Sequence, residues 1–123
     1  MAVGEVEMEF SFTVKIGSST SCNVIAVIPG KSEETIIVNA HHDSVLTPGA
    51  VDDVSGVAVI LEMARLLSKG YLSRPVMFVT FGGEQLGLLG SADFVNRRQT
   101  DNAIGVITVD SIAPGLTMVC ELG

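Results

Sequence analysis

Between residues 5 and 16 apolar and polar positions alternate without a break. Val6, Met8, Phe10, Phe12, Val14 and Ile16 share one parity; Glu7, Glu9, Ser11, Thr13 and Lys15 share the other. A period of two puts these sets on opposite faces of a strand, one buried and one wet. Residues 17–21 form a turn. A second strand is predicted over 23–28 and ends at Pro29 and Gly30. This opening reads as an antiparallel meander.

The pattern then changes. Residues 35–40, 75–81 and 103–110 are nearly continuous apolar runs. Runs of this length between turn residues fit interior strands of a sheet covered on both faces. A long helix is predicted over 53–69. Val54, Val57, Ala58, Ile60, Leu61, Ala64, Leu66 and Leu67 cover most of its circumference, and Gly70 supplies a stop. A shorter helix is predicted over 91–98, with Ser91 as its N-cap. A last strand, 116–122, follows Pro114 and Gly115. The order β-β-β-α-β-α-β-β predicts an α/β fold, with helices packed on a mixed sheet. A chain of 123 residues suits one domain, 1–123, and not two.

Composition narrows the partners. A hydrophobic share of 47% is high for so small a domain, so the sheet is covered on both faces or an apolar surface awaits a partner. The net charge of −7 repels phosphate and argues against nucleic acid. No apolar run approaches the roughly 18 residues of a membrane span. The first ten residues have neither the basic nor the apolar stretch of a secretory signal, and the place in the cell stays open. Cys22 and Cys120 lie far apart without CxxC spacing, and read as two buried free thiols.

The chemistry gathers in His41 to Gly56, HHDSVLTPGAVDDVSG, a loop between an apolar strand and an apolar helix. Open α/β sheets place their sites at the C-terminal ends of strands. Right-handed crossovers bring the ends of the strands at 35–40, 75–81 and 103–110 to one edge. His41, Glu84 and Asp110 then converge, with Asp52 at the mouth of the long helix. Alone, each has an ordinary explanation. Asp52 and Asp53 could cap a helix, Asp110 could form a turn, and Glu84 could be a solvated loop acid. Together, imidazole nitrogen and carboxylate oxygen on independent segments suit a zinc site.

The runs NVIAVIPG, IIVNAHHDSV, TPGAVDDVSGVAVILEMARLL, RPVMFVTFGGEQLGLLGSADFV and VITVDSI, over about residues 22–112, resemble the di-zinc aminopeptidase family. That family includes bacterial leucyl aminopeptidases, glutamate carboxypeptidase, glutaminyl cyclase and the transferrin receptor ectodomain. The resemblance implies a three-layer α/β sandwich around a mixed, largely parallel sheet, of which this chain matches the N-terminal part and lacks the C-terminal elements. It implies that His41, Asp52 and Asp110 bind zinc, with Asp52 bridging two metals. Asp43 and Asp53 would support these ligands, and Glu84 would be the general base. A peptide would be the substrate, and the Asp52–Asp53 peptide bond would be cis. Family members are often secreted.

The sequence departs from the family at the second metal. Gln85 stands where a glutamate ligand is expected, and an amide oxygen is a poorer zinc ligand than a carboxylate. The family's last histidine lies beyond Asp110, whereas this chain has only His41 and His42. One zinc site is therefore expected and the second is expected to be lost. Three readings remain: a metal-dependent aminopeptidase or its core, a silent homologue used for binding or assembly, and, with least support, a glutaminyl cyclase. Homo-oligomers are expected through open apolar edges, chiefly the strands at 6–16 and 116–122.

Overall fold

The computed structural model describes residues 9–13 and 17–112. Four strands and two helices follow in the order β1 (Val24–Ile28), β2 (Thr35–His41), α1 (Val54–Leu67), β3 (Val76–Phe81), α2 (Leu89–Asn96) and β4 (Ala103–Thr108). They build one sheet in the order β1-β3-β2-β4. β2 runs parallel to both β3 and β4, while β1 is antiparallel to β3. The sheet is mixed and largely parallel, as expected.

The layers follow from the alternation of side chains along the central strands. On one face Val38, Ala40, Val76 and Phe78 pack with Ile60 of α1. On the other, Ile37 and Val79 pack with Phe94 of α2. Helices therefore cover both faces, giving three layers. Burial of a side chain such as Ile60 contributes about 2 kcal/mol. Phe81 meets Phe94 edge to face, with ring centroids 5.5 Å apart.

Several expectations need correction. The antiparallel meander expected of the opening does not form among the described residues: β1 pairs with β3, which lies between β1 and β2. The turn after β1 docks instead on the segment before β3: Lys31 N–H donates to the Leu72 carbonyl and Ser32 N–H to that of Ser73. A Cβ at Gly30 would lie 2.2 Å from the Arg74 carbonyl carbon, so this approach needs glycine. It carries the chain past the start of β3 and delivers β2 to the far side.

Among the described residues β4 is not an interior strand. It forms an edge, with Ile104, Val106 and Ile107 exposed. Ser91 does not cap α2. The helix starts earlier, after Leu88 in the left-handed region, and the Ser91 hydroxyl donates to the Leu88 carbonyl. Residues 9–13 form no strand, and Phe10 and Phe12 are exposed. An alternating pattern needs a neighbouring ladder, and none of the described strands pairs with it. Cys22 is a free thiol but an exposed one, just ahead of β1. The rest of the strand expected at 5–16, the strand at 116–122, and Cys120 lie outside the described residues.

Candidate metal centre

Parallel pairing aligns the ends of β2 and β3, with His41 opposite Phe81, and sets Asn39 opposite Thr108. The segments leaving all three strands therefore emerge at one sheet edge. His41 is buried there, at the last position of β2. His42, one residue on, points the other way and is exposed, with Nδ1 3.1 Å from the Thr80 hydroxyl. Only one of the two histidines enters the cluster.

Asp53 holds the cluster's frame. It is 1% exposed, yet its carboxylate accepts three backbone N–H groups: His41 at 3.1 Å, Gly56 at 2.9 Å and Ser111 at 3.1 Å. It thus caps α1 and ties the end of β2 to the segment after β4. A Cβ on Gly56 would lie 2.4 Å from an Asp53 oxygen and 2.5 Å from the Val109 carbonyl. The close packing of these three segments requires that glycine. The Asp52–Asp53 peptide bond is cis, as the resemblance implies.

Three ligand-type atoms converge on this frame. One atom each from His41, Asp52 and Asp110 lie within 4.8 Å of one another. His41 Nε2 is 2.7 Å from Asp52 Oδ1 and 3.8 Å from Glu84 Oε2. On the other side of the ring, Nδ1 donates to the Asp43 carbonyl at 3.0 Å. That bond directs Nε2 into the cluster. Burial alone would lower the His41 pKa. The hydrogen bond to Asp52 and the charges of Glu84, Asp53 and Asp52 outweigh it and raise the value above 6.5. One imidazole and two carboxylates are a donor set that zinc accepts, so these residues fit the ion the resemblance implies.

Asp43 accepts the His41 Nδ1 hydrogen bond with its backbone carbonyl, and its side chain, 3.6 Å from the same nitrogen, also does other work. Oδ1 accepts the N–H of Glu84 at 3.0 Å and Oδ2 that of Gln85 at 3.1 Å. Burial by itself would raise its pKa, but these two bonds lead the effects that hold it below the ordinary 3.8. Asn23, just ahead of β1, grips the same loop, accepting from the Gly82 N–H at 3.2 Å and donating to the Gly90 carbonyl at 2.8 Å. Nothing in the sequence pointed to Asn23, and the Asp43 clamp spans too many residues for any local pattern to show it. Gln85 Nε2 donates to Asp52 Oδ2 at 2.9 Å. A cleft of about 340 Å³ opens beside His41, Glu84 and Asp110, walled by Phe81, Leu88, Phe94 and Val106.

The chain is similar in sequence and fold to known proteins. The chain is 42% identical over 83 residues to aminopeptidase YwaD of Bacillus subtilis, covering 64% of this chain and 18% of that protein. The aminopeptidase from Aneurinibacillus sp. strain AM-1 superposes with a TM-score of 0.69 at 40% identity, over 72% of this chain and 24% of that one. BSAP, a zinc aminopeptidase from Bacillus subtilis, gives 0.68 at 35% identity, over 73% of this chain and 24% of that one. The chain therefore spans about a quarter or less of the length of these relatives. The model of Peptidase family M28 matches residues 23–118, and the chain belongs to that family.

Proposed function

We propose that this chain carries the one-zinc remnant of an aminopeptidase site, with His41, Asp52 and Asp110 as ligands and Glu84 as general base. The observation that carries the reading is the convergence of these three ligand atoms within 4.8 Å at the strand ends. Zinc aminopeptidases among the similar structures support the choice of metal. Such an ion supplies Lewis acidity and makes water a nucleophile near neutral pH. The protein's own residues do the rest. Glu84 Oε2 takes a proton from water and delivers it to the departing amine of an N-terminal residue. Asp43 holds the Glu84 backbone in place for this. The adjoining cleft offers an apolar wall for the residue being released.

Low activity is expected of this chain, because Gln85 stands where the family's carboxylate ligand would. Without a second cation, half of a two-metal clamp on the substrate is missing. A second reading, a silent homologue that binds or assembles, is favoured by the Gln85–Asp52 hydrogen bond. It also fits the exposed apolar edge of β4, a template on which a second copy would pair. Zinc per chain, together with turnover of an aminoacyl anilide, tests both readings. One zinc and slow turnover abolished in Glu84→Gln supports the peptidase remnant. One zinc with no turnover supports the silent homologue. No bound zinc overturns the metal assignment.

A further inference from the structure

We propose that Gln85 is a positioning residue that makes this a one-cation site: its amide holds the Asp52 oxygen that a second divalent cation would need. The inference rests on the one-zinc reading and adds the device that enforces it. A carboxylate only accepts hydrogen bonds, so Gln85 must face Asp52 with its NH₂ group. Nε2 lies 2.9 Å from Asp52 Oδ2. The other oxygen, Oδ1, lies 2.7 Å from His41 Nε2. The two oxygens are thus divided: one turns to the ligand cluster, the other to the amide.

The amide is well anchored for this task. The Gln85 N–H donates to Asp43 Oδ2, and the neighbouring Glu84 N–H to Oδ1 of the same carboxylate. Asp52 itself is half exposed, with its side chain at 50%. Among the described residues, no other side chain donates to its Oδ2. Without Gln85 only the contact of Oδ1 with His41 would hold this carboxylate toward the cluster. A neutral donor also brings no negative charge to attract a second cation. Glutamate at the same position would be of equal length, but it would set two carboxylates face to face. That arrangement is relieved by a cation, or by a shared proton, between them.

Gln85 is exposed, so substitutions there leave the core intact. The test is zinc titration by calorimetry, with metal content measured after equilibrium dialysis. It compares the full chain with Gln85→Met, which keeps length but loses the donor, and with Gln85→Glu. The unaltered chain binds one equivalent. Gln85→Met binds one equivalent about tenfold more weakly, as expected when a partner that orients a metal ligand is lost. Gln85→Glu takes up a second, weaker equivalent. Unchanged affinity in Gln85→Met or a single equivalent in Gln85→Glu would each overturn the proposal while leaving the one-zinc reading standing, whereas two equivalents in the unaltered chain would overturn both. No zinc in the unaltered chain would remove the metal reading, and this proposal with it.

Discussion

Asp53 accepts the backbone N–H of His41 at 3.1 Å, so the carboxylate that starts α1 also fixes the end of β2. Asp53→Ala would leave the N–H groups of His41, Gly56 and Ser111 without their acceptor. Each buried orphan costs about 1–3 kcal/mol, so a loss of roughly 3 kcal/mol or more is expected. Urea unfolding measures it. Zinc affinity should fall in parallel, because His41 and Asp110 lose their common anchor. A variant with unchanged midpoint would show that water replaces the carboxylate.

Asp43 does for the Glu84–Gln85 turn what Asp53 does for the strand ends. Asp43→Asn keeps one acceptor and sets an NH₂ against the other N–H. The expected cost is about 1–2 kcal/mol. Its native pKa lies below 3.8, so its contribution is present above that value and is lost as pH falls through the lowered pKa. The stability gap between parent and variant should therefore close in acid. Tm values from about pH 6 down to about pH 2 would check this, and a gap that persists in acid would assign the loss to something other than charge.

His41 gives the opposite sign, and the sign depends on the metal. Its folded pKa is raised above 6.5 in the metal-free protein. That contribution is full below 6.5 and is lost as pH rises through the raised value. Zinc needs the neutral ring, so stabilisation by zinc grows over the same interval. With chelator present, Tm should fall as pH rises from about 6 to about 9, while the increment added by zinc increases. His41→Ala should flatten both trends. Parallel curves with and without zinc would remove His41 from the ligand set.

Most of what positions the site was legible in the chain. The uninterrupted apolar runs of β2 and β3 required cover on both faces, and that put His41 at a strand end. Asp53 beside the first turn of α1 read as a cap, which it is, though its second and third partners come from distant segments. The edge position of β4 among the described strands was not legible. Ile104, Val106 and Ile107 have the composition of an interior strand, and composition is silent on whether a neighbour exists. The place of β1 was also hidden. It depends on the Gly30 turn meeting Arg74, a contact between segments far apart in sequence.

The exposed edge of β4 leads to the last expectation. Its inner side pairs with β2, and among the described residues no strand pairs with its outer side. Ile104, Val106 and Ile107 are each about half exposed or more. Unpaired N–H and C=O groups beside exposed apolar side chains are a template for a second strand, and a two-fold pair is the commonest closed arrangement. Light scattering of the chain should show a dimer or larger species that grows with concentration. Ile104→Lys places a charge on that edge, which natural edge strands use to block pairing, and should return the chain to monomer. Ile104 stands outside the ligand cluster, so zinc stoichiometry should be unchanged in this variant. A monodisperse monomer for the unaltered chain would defeat the association reading and leave the metal site untouched.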